Sequence, residues 1–142
     1  MKTIFTLLVF SMATFLSGAQ DKSLVGTWNI IECAYLSNGQ TQKIMEDQIK
    51  SGEAITDYVF MADGKYKLTS NMSGSGTMDT YEGTWNTTDS LLKMTLTIEN
   101  QNMEIVWNYV LKDNKLMLSR TSPDGNVKVT NSFMKKESVQ LE

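Results

Sequence analysis

Alternation of apolar and polar residues, interrupted by short turns, is the feature that most constrains how this chain can fold. Between positions 91 and 99, apolar Leu92, Met94 and Leu96 alternate with polar residues such as Lys93 and Thr95. A period of two residues is typical of a strand that buries one face. The turns between such runs are short and carry Asp, Asn, Gly or Pro, the residues that tight turns require. Short turns make consecutive strands antiparallel neighbours.

The pattern predicts eight strands. They span residues 25–35, 54–62, 65–71, 77–86, 91–99, 102–111, 115–121 and 126–135. A sandwich with a Greek key needs a long return connection late in the chain, and every late connection here is short. Closing the meander also removes the exposed edge strands. We therefore predict an all-β fold, an eight-stranded antiparallel up-and-down barrel.

Only the first connection between predicted strands is long. Residues 41–50 within it could share a helical face, with Thr41 as the N-cap and Gly52 as the stop. We therefore predict a short helix in the first connection. A second segment, residues 73–76, is rich in Gly and Ser and is predicted to be a mobile loop.

The first nineteen residues differ from the rest of the chain. Lys2 precedes an apolar run at 4–16, and Ser-Gly-Ala follows at 17–19. This is the pattern of a secretory signal with cleavage after Ala19, and the run is shorter than the roughly 20 residues of a membrane span. Gln20 stands where a lipoprotein would carry Cys, so no lipid anchor is expected. We predict a signal peptide at 1–19, a barrel domain at 20–142, and a secreted or periplasmic protein.

Charge excludes two classes of partner. The segment 1–19 holds one of the 13 basic residues and none of the 16 acidic ones. Residues 20–142 therefore carry 12 basic against 16 acidic residues, a formal net charge of −4. An acidic domain without a basic stripe is not expected to bind nucleic acid. It also lacks the polybasic patch that holds a protein on anionic lipid.

The chain contains no histidine and one cysteine, which excludes most catalytic and metal chemistry. Ser-His-Asp catalysis, Cys-His catalysis and His-ligated zinc all need histidine. Alternation counted from Trp28 puts Cys33 on the opposite face, as a half-buried and unreactive thiol. The acids Glu46, Asp47 and Asp57 form no recognisable catalytic pair. We therefore expect no enzyme activity, no cofactor and no metal site.

Four motifs give the chain a resemblance to a known family. Leu24-Val25-Gly26-Thr27-Trp28 opens the first strand, and Gly83-Thr84-Trp85 repeats Gly-Thr-Trp in mid-chain. Between them lies Phe60-Met61-Ala62-Asp63-Gly64-Lys65-Tyr66, and Leu116-Met117-Leu118 follows near the end. In order and spacing these motifs resemble the short bacterial lipocalin-like domains, which are small barrels of the calycin type. The resemblance covers the whole of residues 20–142.

The resemblance implies a structural plug at one end of the barrel. Gly26 would allow close approach, and Trp28 would lie across the closed end. In lipocalins an Arg from a late strand covers this Trp. Arg120 is the only arginine, and Lys135 is the alternative cation. Arg120 could instead pair with an internal acid such as Glu32, or contact a ligand.

Alternation also defines an inward face that could bind a ligand. This face includes Ile30, Leu118 and Phe133, and Asn131 falls among apolar neighbours on it. Four tyrosines on this face suit an apolar ligand that carries a few polar groups. The predicted ligand-binding residues are Tyr58, Phe60, Tyr66, Leu68, Tyr81, Trp85, Met94, Leu96, Ile105, Trp107, Tyr109 and Arg120.

Two functions remain open at this point. The first is a secreted or periplasmic protein that binds a small apolar or amphipathic molecule in the barrel. The second is a protein-interaction module, such as a secreted inhibitor or an envelope accessory protein, whose barrel is filled by its own side chains. An enzyme is disfavoured by the missing histidine, and an avidin-like biotin binder by the lack of a dense ring of hydrogen-bonding groups.

Overall fold

The computed structural model describes residues 20–74 and 76–137. The predicted signal segment at 1–19 lies outside these residues, as does residue 75 of the predicted loop at 73–76. The elements in chain order are a 3-10 helix (Lys22–Leu24), β1 (Gly26–Ser37), β2 (Gln40–Lys43), α1 (Glu46–Ser51), β3 (Thr56–Phe60), β4 (Lys65–Ser70), β5 (Asp79–Thr88), β6 (Leu91–Ile98), β7 (Gln101–Lys112), β8 (Lys115–Thr121) and β9 (Val127–Lys135).

Eight antiparallel strands close into a barrel, as predicted. Strand β1 pairs with β3, the strands from β3 to β9 follow one another in sequence, and β9 returns to β1. The β1–β9 ladder is long, from Trp28 opposite Lys135 to Ser37 opposite Val127. Because β1 is shared by both ends of the sheet, the barrel wall has no free edge along that ladder.

The first connection differs from the prediction. Asn38 and Gly39 both have positive φ (52° and 74°) and form a two-residue hairpin turn, which folds β2 back onto the end of β1. Thr41 therefore lies in β2 and is not a helix N-cap. Helix α1 starts later, after Met45 in the left-handed conformation without a side-chain cap. It ends as predicted at Gly52, whose N–H donates to the Ile49 carbonyl.

A β-bulge in β1 corrects the predicted orientation of Cys33. The register with β9 shifts between Ile30 and Glu32, so Ile31 is an extra residue on β1. Beyond the bulge, Cys33 lies opposite Asn131, which in turn lies opposite Leu118 on β8. Directly opposed residues share a face of the sheet, and Leu118 is fully buried in the core. Cys33 is therefore on the inward face, not on the opposite one.

The two ends of the barrel are built differently. At one end, the closed end, lie the turns β3–β4, β5–β6 and β7–β8 together with residues 20–25, which we call the closing segment. Within it, Leu24 is fully buried and the Asp21 N–H donates to the Thr87 hydroxyl of β5 over 2.9 Å. At the other end, the open end, lie the β1–β2, β4–β5, β6–β7 and β8–β9 connections. The interior is thus closed at one end by residues 20–25 of the closing segment.

Candidate ligand site inside the barrel

The two Gly-Thr-Trp motifs place their tryptophans in the closed half of the barrel. Trp28 is fully buried, and its indole N–H donates to the Leu24 carbonyl of the closing segment over 2.8 Å. Trp85 is also buried, and its indole N–H donates to the Met61 carbonyl over 3.1 Å. Each ring therefore ties a strand to a segment at the closed end. Trp28 lies at the closed end, which is where the plug was predicted.

Lys135, and not Arg120, is the cation that covers Trp28. The Lys135 ammonium lies 5.5 Å from the centroid of the Trp28 ring. Its side chain passes so close to Gly26 that a Cβ at that position would lie 2.9 Å from the Lys135 Cε. Gly26 also has a φ of 139°, which side chains with a Cβ rarely adopt. Gly26 thus permits the close approach that was predicted, with a lysine stem as the partner.

Five aromatic rings fill much of the closed half. Tyr58 stacks on Phe60 with 5.5 Å between ring centroids, and it meets Phe133 edge-on at 5.4 Å. Phe60 meets Trp85 edge-on at 5.3 Å and lies 6.4 Å from Tyr66. Contacts of this geometry stabilise beyond simple burial. Burial raises the pKa of the Tyr58 phenol far above its usual range, so its hydroxyl stays neutral at all ordinary pH values.

The structure divides the twelve predicted ligand-binding residues into groups. Six are buried in the core: Tyr58, Phe60, Tyr66, Trp85, Met94 and Leu96. Four others, Leu68, Tyr81, Ile105 and Trp107, are only partly buried and pack against that core. The remaining two are Tyr109, which is also partly buried, and Arg120, which is exposed.

Tyr109 belongs to the closed end. Its hydroxyl donates to an Asp21 carboxylate oxygen over 3.0 Å, so it secures the closing segment. Hydrogen bonds from the Ser23 hydroxyl, and then from Tyr109, hold the pKa of Asp21 below its usual range against the opposing effect of burial. Tyr109 is therefore occupied by an internal partner in this structure.

Four of the predicted ligand-binding residues face the interior but are only partly buried. Leu68 on β4 lies opposite Tyr81 on β5, while Ile105 and Trp107 share the inward face of β7. All four side chains keep part of their surface exposed, although the register aims them at the interior. These four partly exposed side chains on the inward face form the candidate ligand site.

Arg120 lies beside Trp107 at the open half. Its guanidinium carbon is 5.2 Å from the centroid of the Trp107 ring, a distance typical of a cation–π contact. The internal acid considered as its partner, Glu32, instead binds Lys43 over 3.5 Å. Glu32, Lys43, Glu46 and Lys50 form one chain of exposed ion pairs. Among the described residues, Arg120 forms no ion pair.

Two buried polar atoms on the inward face lack a hydrogen-bond partner among the described residues. They are the Trp107 indole nitrogen, a donor, and the Asn131 side-chain oxygen, an acceptor. Buried polar groups are normally paired, so each marks a place where a partner is missing. Sequence placed Asn131 among apolar neighbours, but only the structure identifies these atoms as unpaired.

Cys33 lies on the inward face and is half-buried. Burial raises the pKa of the Cys33 thiol, which lowers its reactivity. Within residues 20–74 and 76–137, no three His, Cys, Asp or Glu side chains converge to hold a metal ion. In the same part of the chain, no helix is long and apolar enough to cross a membrane.

A family model described as a lipocalin-like domain matches residues 24–118, more than half of the chain. The chain belongs to the lipocalin-like domain family. Lipocalin-like barrels are in general ligand-binding folds and are typically not enzymes. In this lipocalin-like chain the family match begins at Leu24 of the closing segment and ends at Leu118 on β8.

Solved structures from Bacteroides share the lipocalin-like fold. A lipocalin-like protein from Bacteroides uniformis ATCC 8492 is 16% identical with a TM-score of 0.52, covering 80% of this chain and 98% of that one. An uncharacterized protein from Bacteroides eggerthii DSM 20697 is 19% identical with a TM-score of 0.51, covering 79% and 98%. At such identities the likeness shows the fold alone. No curated protein matches the sequence significantly.

Proposed function

We propose that this lipocalin-like protein binds a small apolar or amphipathic molecule in the open half of its barrel. The observation that carries the proposal is the contrast between the two halves. Aromatic rings pack the closed half, whereas Leu68, Tyr81, Ile105 and Trp107 face the interior of the open half and remain partly exposed. Partly exposed apolar side chains on the inner face of a barrel are typical of the lining of small-molecule sites.

We also propose that the protein acts outside the cytoplasm, either secreted or in the periplasm. The apolar run at 4–16 followed by Ser-Gly-Ala at 17–19 supports this location. Mass spectrometry of the protein recovered from its natural source tests it. The expected N-terminus is Gln20, and a protein that keeps residues 1–19 would contradict the proposal.

Occupancy of the open half can be tested with a polarity-sensitive dye such as Nile red. We expect saturable binding with increased dye fluorescence, because inward-facing apolar side chains such as Leu68 and Ile105 remain partly exposed. The variant Ile105→Trp adds a bulky ring to the inward face of β7 and should weaken dye binding at least about tenfold. Val110→Trp is the matched control, since Val110 is on the same strand but is 60% exposed.

The outcomes separate the proposal from its alternative. Dye binding that is reduced by Ile105→Trp and kept by Val110→Trp supports a site inside the barrel. Equal loss in both variants, or no binding by the unmodified protein, would contradict it. The packed closed half favours the second candidate, a protein-interaction module with a filled barrel, and that candidate predicts no saturable dye binding.

A further inference from the structure

The unpaired indole N–H of Trp107 points to a polar group on the ligand, in addition to its apolar part. The three tryptophans of this chain differ in how their indole nitrogens are bound. Those of Trp28 and Trp85 donate to backbone carbonyls at the closed end, whereas that of Trp107 is buried without a partner among the described residues. A buried donor without an acceptor is unfavourable. A ligand that supplies an acceptor at this point would remove that penalty.

Arg120 adds a positive charge beside the same ring. Its guanidinium lies 5.2 Å from the Trp107 centroid and forms no ion pair in residues 20–74 and 76–137; the acid considered as its partner, Glu32, is bound to Lys43. Arg120 is also exposed, so a ligand entering from the open end can reach it. A donor and an unneutralised cation on adjacent strands β7 and β8 favour an anionic acceptor.

We propose that the ligand is an amphipathic carboxylate. This inference depends on the proposed binding function. The carboxylate oxygens accept the Trp107 indole N–H and lie against the Arg120 guanidinium, and the apolar part contacts side chains of the open half such as Leu68 and Ile105. The carboxylate cannot satisfy the unpaired oxygen of Asn131, since both are acceptors.

Binding of two probes with the same chain length tests the head group. Dodecanoate and dodecanol, each below its aggregation concentration, are titrated at pH 7.5 by displacement of Nile red and by calorimetry. We expect dodecanoate to bind at least about tenfold more tightly than dodecanol, because charge-assisted hydrogen bonds are the stronger ones.

Three variants assign the preference to the residues named. Arg120→Gln removes the charge, and Trp107→Phe removes the N–H while keeping a ring. Each should weaken dodecanoate binding about tenfold and change dodecanol binding less than about twofold. Lys128→Gln is the matched control, because it removes one exposed positive charge from β9 and should leave both affinities unchanged. Urea midpoints confirm that each variant is folded, and exposed Arg120 provides the test if Trp107→Phe is unstable.

The results distinguish failure of this inference from failure of the proposed function. Dodecanol binding as tightly as dodecanoate would overturn the carboxylate inference and leave the binding site in place. An equal loss of dodecanoate affinity in Lys128→Gln and Arg120→Gln would also overturn it, since the effect would then be overall charge. If neither probe nor Nile red binds, both proposals are wrong.

Discussion

Gly83 on β5 lies under the ring of Tyr66, and its replacement by alanine tests how tightly the barrel wall is packed. A Cβ at Gly83 would lie 2.0 Å from the Thr95 carbonyl oxygen on β6 and 2.8 Å from Cε1 of Tyr66. The ring can shift, but the carbonyl belongs to the backbone of the paired strand. Gly83→Ala therefore cannot be accommodated without moving β5 away from β6.

The expected cost follows from that geometry. An extra methyl group in a packed core typically costs about 1–3 kcal/mol, and a fixed backbone oxygen places Gly83→Ala near the upper limit, at about 3 kcal/mol. With a urea m-value of about 1.5 kcal/mol/M, the unfolding midpoint should fall by about 2 M. Tryptophan fluorescence during urea unfolding measures the midpoint. The neighbouring Glu82→Ala is the control and should change stability by less than about 0.5 kcal/mol. A Gly83→Ala midpoint within about 0.3 M of the unmodified protein would refute the packing described.

Three further predictions concern single groups. Hydrogen bonding from Ser23 lowers the pKa of Asp21 on folding, so Asp21→Asn should reduce the free energy of unfolding at pH 7. The difference from the unmodified protein should disappear as the pH falls through that lowered pKa. A pH-independent difference in urea midpoint would contradict this. Lys135→Ala should cost about 1 kcal/mol of stability by uncovering the buried indole ring of Trp28, whereas Arg120→Ala should cost less than about 0.5 kcal/mol. The reverse order of stabilities in thermal unfolding would show that the two cations are misassigned. Cys33 should react with iodoacetamide more slowly than free cysteine at pH 8, because burial raises the pKa of its thiol, and a rate equal to that of free cysteine would place it outside the barrel.

The barrel itself could be predicted because its signals are local. Alternation within residues 91–99 and the short turns that follow fix both the faces of the strands and their antiparallel order. Two features of the first strand could not be obtained in this way. The hairpin at Asn38-Gly39 carries a known turn signal that the helical pattern of 41–50 obscured. The bulge at Ile31 is marked only by two adjacent apolar residues, Ile30 and Ile31.

The sequence predicts which side chains face the barrel interior, but it does not predict how far along the barrel each of them lies. Alternation identified inward residues without showing which half of the interior each one reaches. That division depends on where residues 20–25 cross the barrel, and Tyr109 shows the consequence, since its hydroxyl binds Asp21 at the closed end. The partners of the two cations depended on long-range register as well, and the unpaired atoms of Trp107 and Asn131 emerge only from the packed structure.

The indole N–H resonances of the three tryptophans provide the most direct test of a ligand site in the open half. In a ¹H–¹⁵N spectrum, titration with dodecanoate should shift the Trp107 indole signal strongly, because its free donor gains an acceptor. The signals of Trp28 and Trp85 should move little, since their N–H groups already donate to backbone carbonyls in the closed half. Trp107→Phe assigns the resonance by its disappearance. An unchanged Trp107 signal at saturating dodecanoate, or a larger shift at Trp28 or Trp85, would contradict the site proposed.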